Sequence, residues 1–413
     1  MFESPPREKQ WLSWLYVVIW ALIIFVTIPL AAAIQEFVYQ QWSRDVFTYV
    51  VVATTAVAFV AATIYARRFR LASRSSYFWL AAVAAIFLGY TIALAKQSPE
   101  EAIHFIEYGV LGILVYRALT HTLHDMSIYF AAAIVCGIIG TVDEFIQWLI
   151  PQRVWGLRDI WMNFFSSALV QIAIARGLKP TFIASLPGRT NLRFLCRLAI
   201  AAIAIFGASL LNTPARIAWV AERIPWFEFL KGNESVMLEY GYLYEDSDIG
   251  IFRSRFAPAE LEQMDCEQAR ETANILNRFQ DRSSYQEFLK IYTPISDPFV
   301  HEARVHLFRR DVYFEAAAKY RNDPKRYAWH LTVAFRENQI MEKYFSNTLQ
   351  HSAYIWSEDT LALARNHLLQ EEIYDSGVSS SLITRVSEGQ VASFFIVLIL
   401  GLALVHWYLG KAQ

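Results

Sequence analysis

The chain has 413 residues, of which 55% are hydrophobic and only 18% charged, with a formal net charge of −1 and a mean hydropathy of +0.27. Soluble domains carry about 25% charged residues, so this composition points to a membrane. The near-neutral charge excludes a nucleic-acid partner held by a basic surface. Cys136, Cys196 and Cys266 have no metal or redox spacing, and two of them fall in apolar spans, which argues against a disulfide framework.

A helix crossing the bilayer core needs about 20 mostly apolar residues. Along the chain such stretches are 11–31, 47–65, 77–95, 103–119, 127–150, 158–176, 194–211 and 390–409. The fourth and sixth are the least hydrophobic. The expected fold is therefore all-α and polytopic, with about eight transmembrane helices. Residues 1–76 carry the first two spans and a basic loop, 77–211 a polytopic core, 212–388 a mostly helical α+β extracytoplasmic domain, and 389–413 the last span. The first apolar stretch exceeds the roughly 7–15 residues of a signal-peptide core, so it reads as a retained anchor.

Lys and Arg in short loops set orientation. With the N-terminus inside, the inside segments hold Arg7, Lys9, Arg67, Arg68, Arg70, Arg74, Arg117, Arg176, Lys179, Arg189, Arg193 and Lys411. The outside loops hold only Arg44, Lys96, Arg153 and Arg158. Both termini are then cytoplasmic and 212–388 is outside. Gly109 and Gly112, and Gly137 and Gly140, are spaced for close helix approach.

The 212–388 segment opens on Trp219, Trp226, Phe227 and Phe229, spaced like an interfacial amphipathic stretch. A hairpin is expected over 235–256 around Glu245-Asp246-Ser247-Asp248. Asp297-Pro298, Asp323-Pro324 and Ala257-Pro258-Ala259-Glu260 mark helix starts. Cys266 reads as a buried small residue. Ser379-Ser380-Ser381 reads as part of a polar tether to the last span. His301, His306, His330, His351 and His367 lack ligand spacing and read as solvated or core histidines. This segment has no recognisable catalytic motif; an extracytoplasmic protein or ligand partner is the expected role.

Chemistry concentrates in spans four to six. Charged side chains inside a membrane are costly and usually face the bundle interior for function. His104, Glu107 and Tyr108 share one face of the fourth span by their three- and four-residue spacing. Asp143, Glu144 and Gln147 do so near the end of the fifth, and Asp159 and Asn163 at the start of the sixth. Arg153 lies in the loop joining the last two. Alternating spans bring all of these to one membrane level and predict a polar pocket opening to the outer face.

The pattern His104-Phe105-x-x-Tyr108, then Asp143-Glu144-x-x-Gln147, Pro151, Arg153, Asp159 and Asn163, resembles the VanZ-like family of bacterial membrane proteins over roughly residues 80–176. Two stretches depart from it: Glu100 and Glu101 stand where the family often has Asp-Lys, and Ser166 and Ser167 where it tends to have glycines. The resemblance implies a bacterial cytoplasmic-membrane protein related to one associated with teicoplanin resistance.

Three readings of the cluster stand side by side. In an enzyme, Asp143 or Glu144 is a base, His104 an acid or metal ligand, Asp159 part of the acid–base set, and Arg153 a clamp on phosphate or carboxylate. The substrate would be a lipid-linked or other envelope precursor. In a binder or transporter, the same groups with Gln147, Asn163, Tyr108 and Glu107 recognise a lipid headgroup or antibiotic, or relay protons. In the third reading they form a salt-bridge network that fixes helix order. Metal at His104, Asp143, Glu144 and Asp159 is chemically feasible, but no His-Glu-x-x-His motif occurs and no cofactor is named by the sequence.

Overall fold

The computed structural model describes residues 8–42, 45–68, 73–97, 99–150, 155–233, 236–369 and 373–411. The chain divides into two compact units, Met1–Ser209 with Ser393–Gln413, and Leu210–Ala392.

The first unit is a helix bundle: α1 (Gln10–Gln41), α2 (Asp45–Arg68), α3 (Arg74–Gln97), α4 (Pro99–Leu119), α5 (Ser127–Trp148), α6 (Leu157–Ile172) and α7 (Arg189–Leu210), joined by most of the C-terminal helix Glu388–Lys411. Among the described residues seven of these helices are long and apolar enough to cross a membrane. The exception is α6, which has only 16 residues before the backbone widens into a π-helical turn over Ala173–Leu178. The expected sixth span is therefore a composite element, weakened as an apolar signal by Asp159, Asn163, Ser166 and Ser167.

Burial separates centre from rim. The apolar windows of α4 and α5 are 56% and 50% buried, those of the other five candidates 22% or less. Leu22, Val26, Val57, Ile64, Phe78 and Leu404 are among the large apolar side chains left exposed on those outer helices, as helices facing hydrocarbon require. Lipid gives apolar helices little reason to associate with one another, so close packing by small residues and interhelical hydrogen bonds hold the bundle. A Cβ on Gly112 of α4 would come within 3.0 Å of Ser167 Oγ, and one on Gly140 of α5 within 3.0 Å of Asn163 Cβ. Both contacts are with α6. Gln171 Nε2 donates to the Gly112 carbonyl at 2.9 Å, and Ser166 Oγ donates to the Phe105 carbonyl.

Polar contacts sort the helix ends. Arg117, near the end of α4, pairs with Glu8 at 2.5 Å, while Ser13 of α1 contacts His121 at 3.0 Å. Asp125 between α4 and α5 accepts from Gly188 N at 2.7 Å and Asn191 Nδ2 at 2.8 Å, and Lys179 reaches Ser73 at 3.3 Å. Burial alone would raise the Asp125 carboxyl, but these donors together with Ser127 hold it below its ordinary value. Arg193 lies against Gly410 of the C-terminal helix. The segments bearing these groups therefore share one end of the bundle. The ends of α5 and the starts of α4 and α6 occupy the other, so α6 and its π turn run the length of the bundle.

The second unit begins with α8 (Pro214–Arg223) and a 3-10 segment, Pro225–Gly232, on which Trp219, Trp226 and Phe229 are exposed. Strands β1 (Tyr242–Asp246) and β2 (Gly250–Ser254) form an antiparallel hairpin with Tyr244 opposite Phe252. Asp246 closes the turn by accepting from Asp248 N at 2.9 Å. Gly250 has φ +117°, where the Tyr374 carbonyl leaves no room for a side chain.

Helices α9 (Pro258–Arg278), α10 (Tyr285–Ile291), α11 (Pro298–Ala317), α12 (Pro324–Tyr344), α13 (Ser346–Gln350) and α14 (Glu358–Arg365) complete it. Each of α9, α11 and α12 starts at the expected proline. Asp297 and Asp323 cap α11 and α12 by accepting from Val300 N and Arg326 N, both at 3.1 Å. Phe252, Phe256, Phe299, Leu307, Met341 and Phe345 form the core.

Two expectations are corrected here. Cys266 is exposed, because it lies one position past buried Asp265 and so points away from the face of α9 that carries Leu261, Ala269 and Leu276. The segment containing Ser379–Ser381 is docked, not a free tether: Ser376 N donates to the Ile251 carbonyl at 2.8 Å, and Ile383 N to the Glu239 carbonyl at 3.0 Å. The histidines read as core or solvated divide as expected. His306 is fully buried, while His330, His351 and His367 bond the carbonyl four residues back in their own chain.

Candidate functional site

Three helices bring the polar cluster together at one end of the first unit. On α4, His104 Nδ1 pairs with Glu107 Oε2 at 3.0 Å, their side chains 23% and 17% exposed, so this pair forms the accessible edge. One residue further, Tyr108 is fully buried and donates its hydroxyl to Asp143 Oδ2 on α5 at 3.0 Å. The backbone of α4 is also held from outside, by Trp20 of α1 donating to the Glu107 carbonyl at 3.0 Å.

Asp143 is completely buried. Its second oxygen, Oδ1, accepts no hydrogen bond among the described residues. His104, Glu107 and Gln147 are its electrostatic and polar neighbours, and His104 also acts on Asp159. The imidazole is thus common to carboxylates on all three helices.

Glu144 does different work. It is 1% exposed and accepts from Gln147 Nε2 at 3.1 Å and from Gly156 N at 3.2 Å. The first bond lies within α5, and the second ties the end of α5 to the start of α6. Asp159, in the first turn of α6, folds back over Gly156 and adds a favourable charge at that helix N-terminus. Asn163 is buried against Gly140, which the Tyr108 ring also borders. Arg153 lies outside the described residues.

Sequence reasoning did not anticipate the ion pair of Arg158 with Glu101, at 3.5 Å, on the rim of the cluster. The signal was available: both stand at the first turns of helices that begin at the same end. Trp155, next in sequence to Gly156, is also buried, at 7% exposed. Glu107, Asp143, Glu144 and Asp159 make the cluster predominantly acidic, with His104 its only central base among the described residues. Among those residues no group of three or more His, Cys, Asp or Glu is gathered closely enough to hold a metal ion.

Seven apolar helices of spanning length among the described residues define a multi-pass helical membrane protein. Compared with family models, curated proteins and solved structures, the chain matches none.

Proposed function

We propose that this is a VanZ-like protein of the bacterial cytoplasmic membrane that recognises, and in the enzymatic reading modifies, a cell-envelope component at the cluster around Asp143. The ligand is a lipid headgroup, a lipid-linked precursor or a glycopeptide antibiotic. The observation carrying this reading is the Asp143 carboxylate, fully buried with one oxygen lacking a partner among the described residues. A network retained only to fix helix order gains by satisfying every buried acceptor, since an unmet one costs several kcal/mol in an apolar medium, on the order of 4–8 in the most severe reference. Three carboxylates around one imidazole, those of Glu107, Asp143 and Asp159, favour a ligand rich in donors, an amine or hydroxyls.

In this proposal α6 with its π turn is an eighth crossing, and both termini lie in the cytoplasm. The end of the bundle bearing Arg117, Lys179, Arg189 and Arg193 is the cytoplasmic one, in keeping with the bias of basic residues to that side. The cluster then sits below the outer leaflet and Leu210–Ala392 is extracytoplasmic, available to an envelope protein partner.

The test is mass spectrometry of lipids and precursors retained by the purified protein, native against Asp143→Asn. A species present with the native chain and lost from a folded, equally abundant variant supports the reading. Accumulation of a chemically altered form in cells expressing only the native chain makes the protein an enzyme. Equal retention by both proteins sinks the proposal. A cysteine placed at Ser247 and labelled only from the cytoplasm overturns the orientation.

A further inference from the structure

The second unit holds a cavity of about 260 Å³, lined by Arg304 and Arg310 of α11 together with Phe308, Tyr354 and Trp356, with Arg282 and Glu315 at its rim. We propose that it binds a small oxyanion, a carboxylate or phosphate ester, carried on a flat apolar group. This site is separate from the acidic cluster and does not depend on what that cluster does.

The charges decide it. Arg282 pairs with Glu315 at 3.0 Å and Arg310 with Asp311 at 2.8 Å. Arg310 Nη1 is also satisfied, by Asn338 Oδ1 at 2.9 Å and the Tyr354 carbonyl at 2.8 Å. Arg304 has no carboxylate partner among the described residues. Its Nη2 donates to the Phe279 carbonyl at 3.1 Å, while Nε and Nη1 are buried without a hydrogen-bond partner. It is 2% exposed, and a guanidinium stays charged at any physiological pH. A buried, uncompensated cation is strongly destabilising unless an anion joins it.

Aromatic rings complete the chemistry. The Arg304 guanidinium lies 5.0 Å from the Tyr285 ring and 5.7 Å from those of Phe308 and Tyr354. Those faces attract the cation, yet they leave its in-plane N–H groups unmatched, and they keep the surroundings dry, which strengthens pairing with an oxyanion. The volume suits a ligand of one ring and one acidic group, below the usual range of drug-sized sites.

Benzoate and phenyl phosphate, titrated calorimetrically into the purified full-length protein, are the test. Saturable binding of either is expected, weakened more than tenfold by Arg304→Gln and changed little by Arg326→Ala, whose side chain is exposed and does not line the cavity. Preference between the probes separates a carboxylate from a phosphate ligand. Should Arg304→Gln fail to fold, Ala353→Trp fills the cavity from its exposed edge and is expected to abolish binding without lowering the melting temperature. Absence of binding up to millimolar probe, or binding indifferent to both Arg304→Gln and Ala353→Trp, overturns the proposal and leaves Arg304 an aromatic-caged structural residue.

Discussion

Tyr108 of α4 donates its hydroxyl to Asp143 of α5 across 3.0 Å at a point where both side chains are fully buried. That bond links the two central helices directly, side chain to side chain, at the site. Interhelical hydrogen bonds in membrane bundles contribute about 0.6 kcal/mol on average and up to about 1.7. Tyr108→Phe keeps the ring and removes the donor, so its expected cost is about 1 kcal/mol, within reach of the folded state. The check is thermal unfolding in detergent beside the retention assay: a slightly lower melting temperature with altered ligand retention is expected. An unchanged melting temperature would show the bond to be dispensable for stability.

Glu144 separates positioning from recognition. Its two oxygens are each used, one by Gln147 and one by Gly156 N. Glu144→Gln keeps one amide oxygen as acceptor, whereas Glu144→Ala leaves the Gly156 donor and the Gln147 amide without it. With a lost partner in a buried site costing about 1–3 kcal/mol, Glu144→Ala is expected to destabilise clearly more than Glu144→Gln, measured as melting temperature and membrane abundance. Asp143→Asn, by contrast, should spare abundance, since one of its oxygens is unused among the described residues. Equal losses from Asp143→Asn and Glu144→Ala would contradict this division of roles.

The outline of the fold was legible because apolar length and proline-preceded caps are local signals. Asp297 and Asp323 act on residues three positions ahead, and the Asp246 turn closes within the hairpin. The convergence of His104, Tyr108, Asp143 and Asp159 followed from helical spacing and alternating spans. What spacing could not supply was the choice of partner: that Tyr108 takes Asp143 while Glu144 turns to the α6 start depends on helix rotation. The second unit hid its interior for another reason. Glu302, His306 and Arg310 recur every four residues on α11 and are all buried beside Phe299 and Leu307, a burial that their polar residue types do not signal. Glu302 is held by Arg255, and His306 by Glu337 at 2.6 Å, partners far away in sequence. The exposure of Cys266 was misjudged by residue type, whereas its position next to Asp265 on α9 decides it.

Close packing of α4 on α6 predicts a contrast between two glycines. A Cβ at Gly112 meets Ser167 Oγ at 3.0 Å and the Ser167 Cα at 3.3 Å, and the second atom is backbone that cannot swing aside. One at Gly89 of α3 meets nothing within 4 Å. Overpacking costs about 1–3 kcal/mol, so Gly112→Ala should lower the melting temperature while Gly89→Ala is neutral or mildly stabilising through its better helix propensity. Matching melting temperatures for the two variants would mean that α6 is free to shift.

Acid should loosen the second unit in two stages. His301 ordinarily titrates near 6.5; burial, aided by the charge of Arg255, lowers it to about 3. Between those values the unfolded chain takes up a proton there that the folded chain refuses, so stability falls as the pH drops from about 6.5 towards 3. Glu337 adds a second loss. Burial alone would raise its carboxyl, but His306, Tyr374 and Ser376 outweigh that and hold it below its ordinary 4.5. Its contribution is complete above 4.5 and disappears as the pH falls through the depressed folded value. Melting temperature followed against pH on the full-length protein should therefore decline first below about 6.5 and more steeply below about 4.5. In His301→Gln the upper stage should flatten while the lower remains, because Glu337 keeps its partners. A variant curve that parallels the native one between pH 6.5 and 4.5 would assign the upper stage to another group.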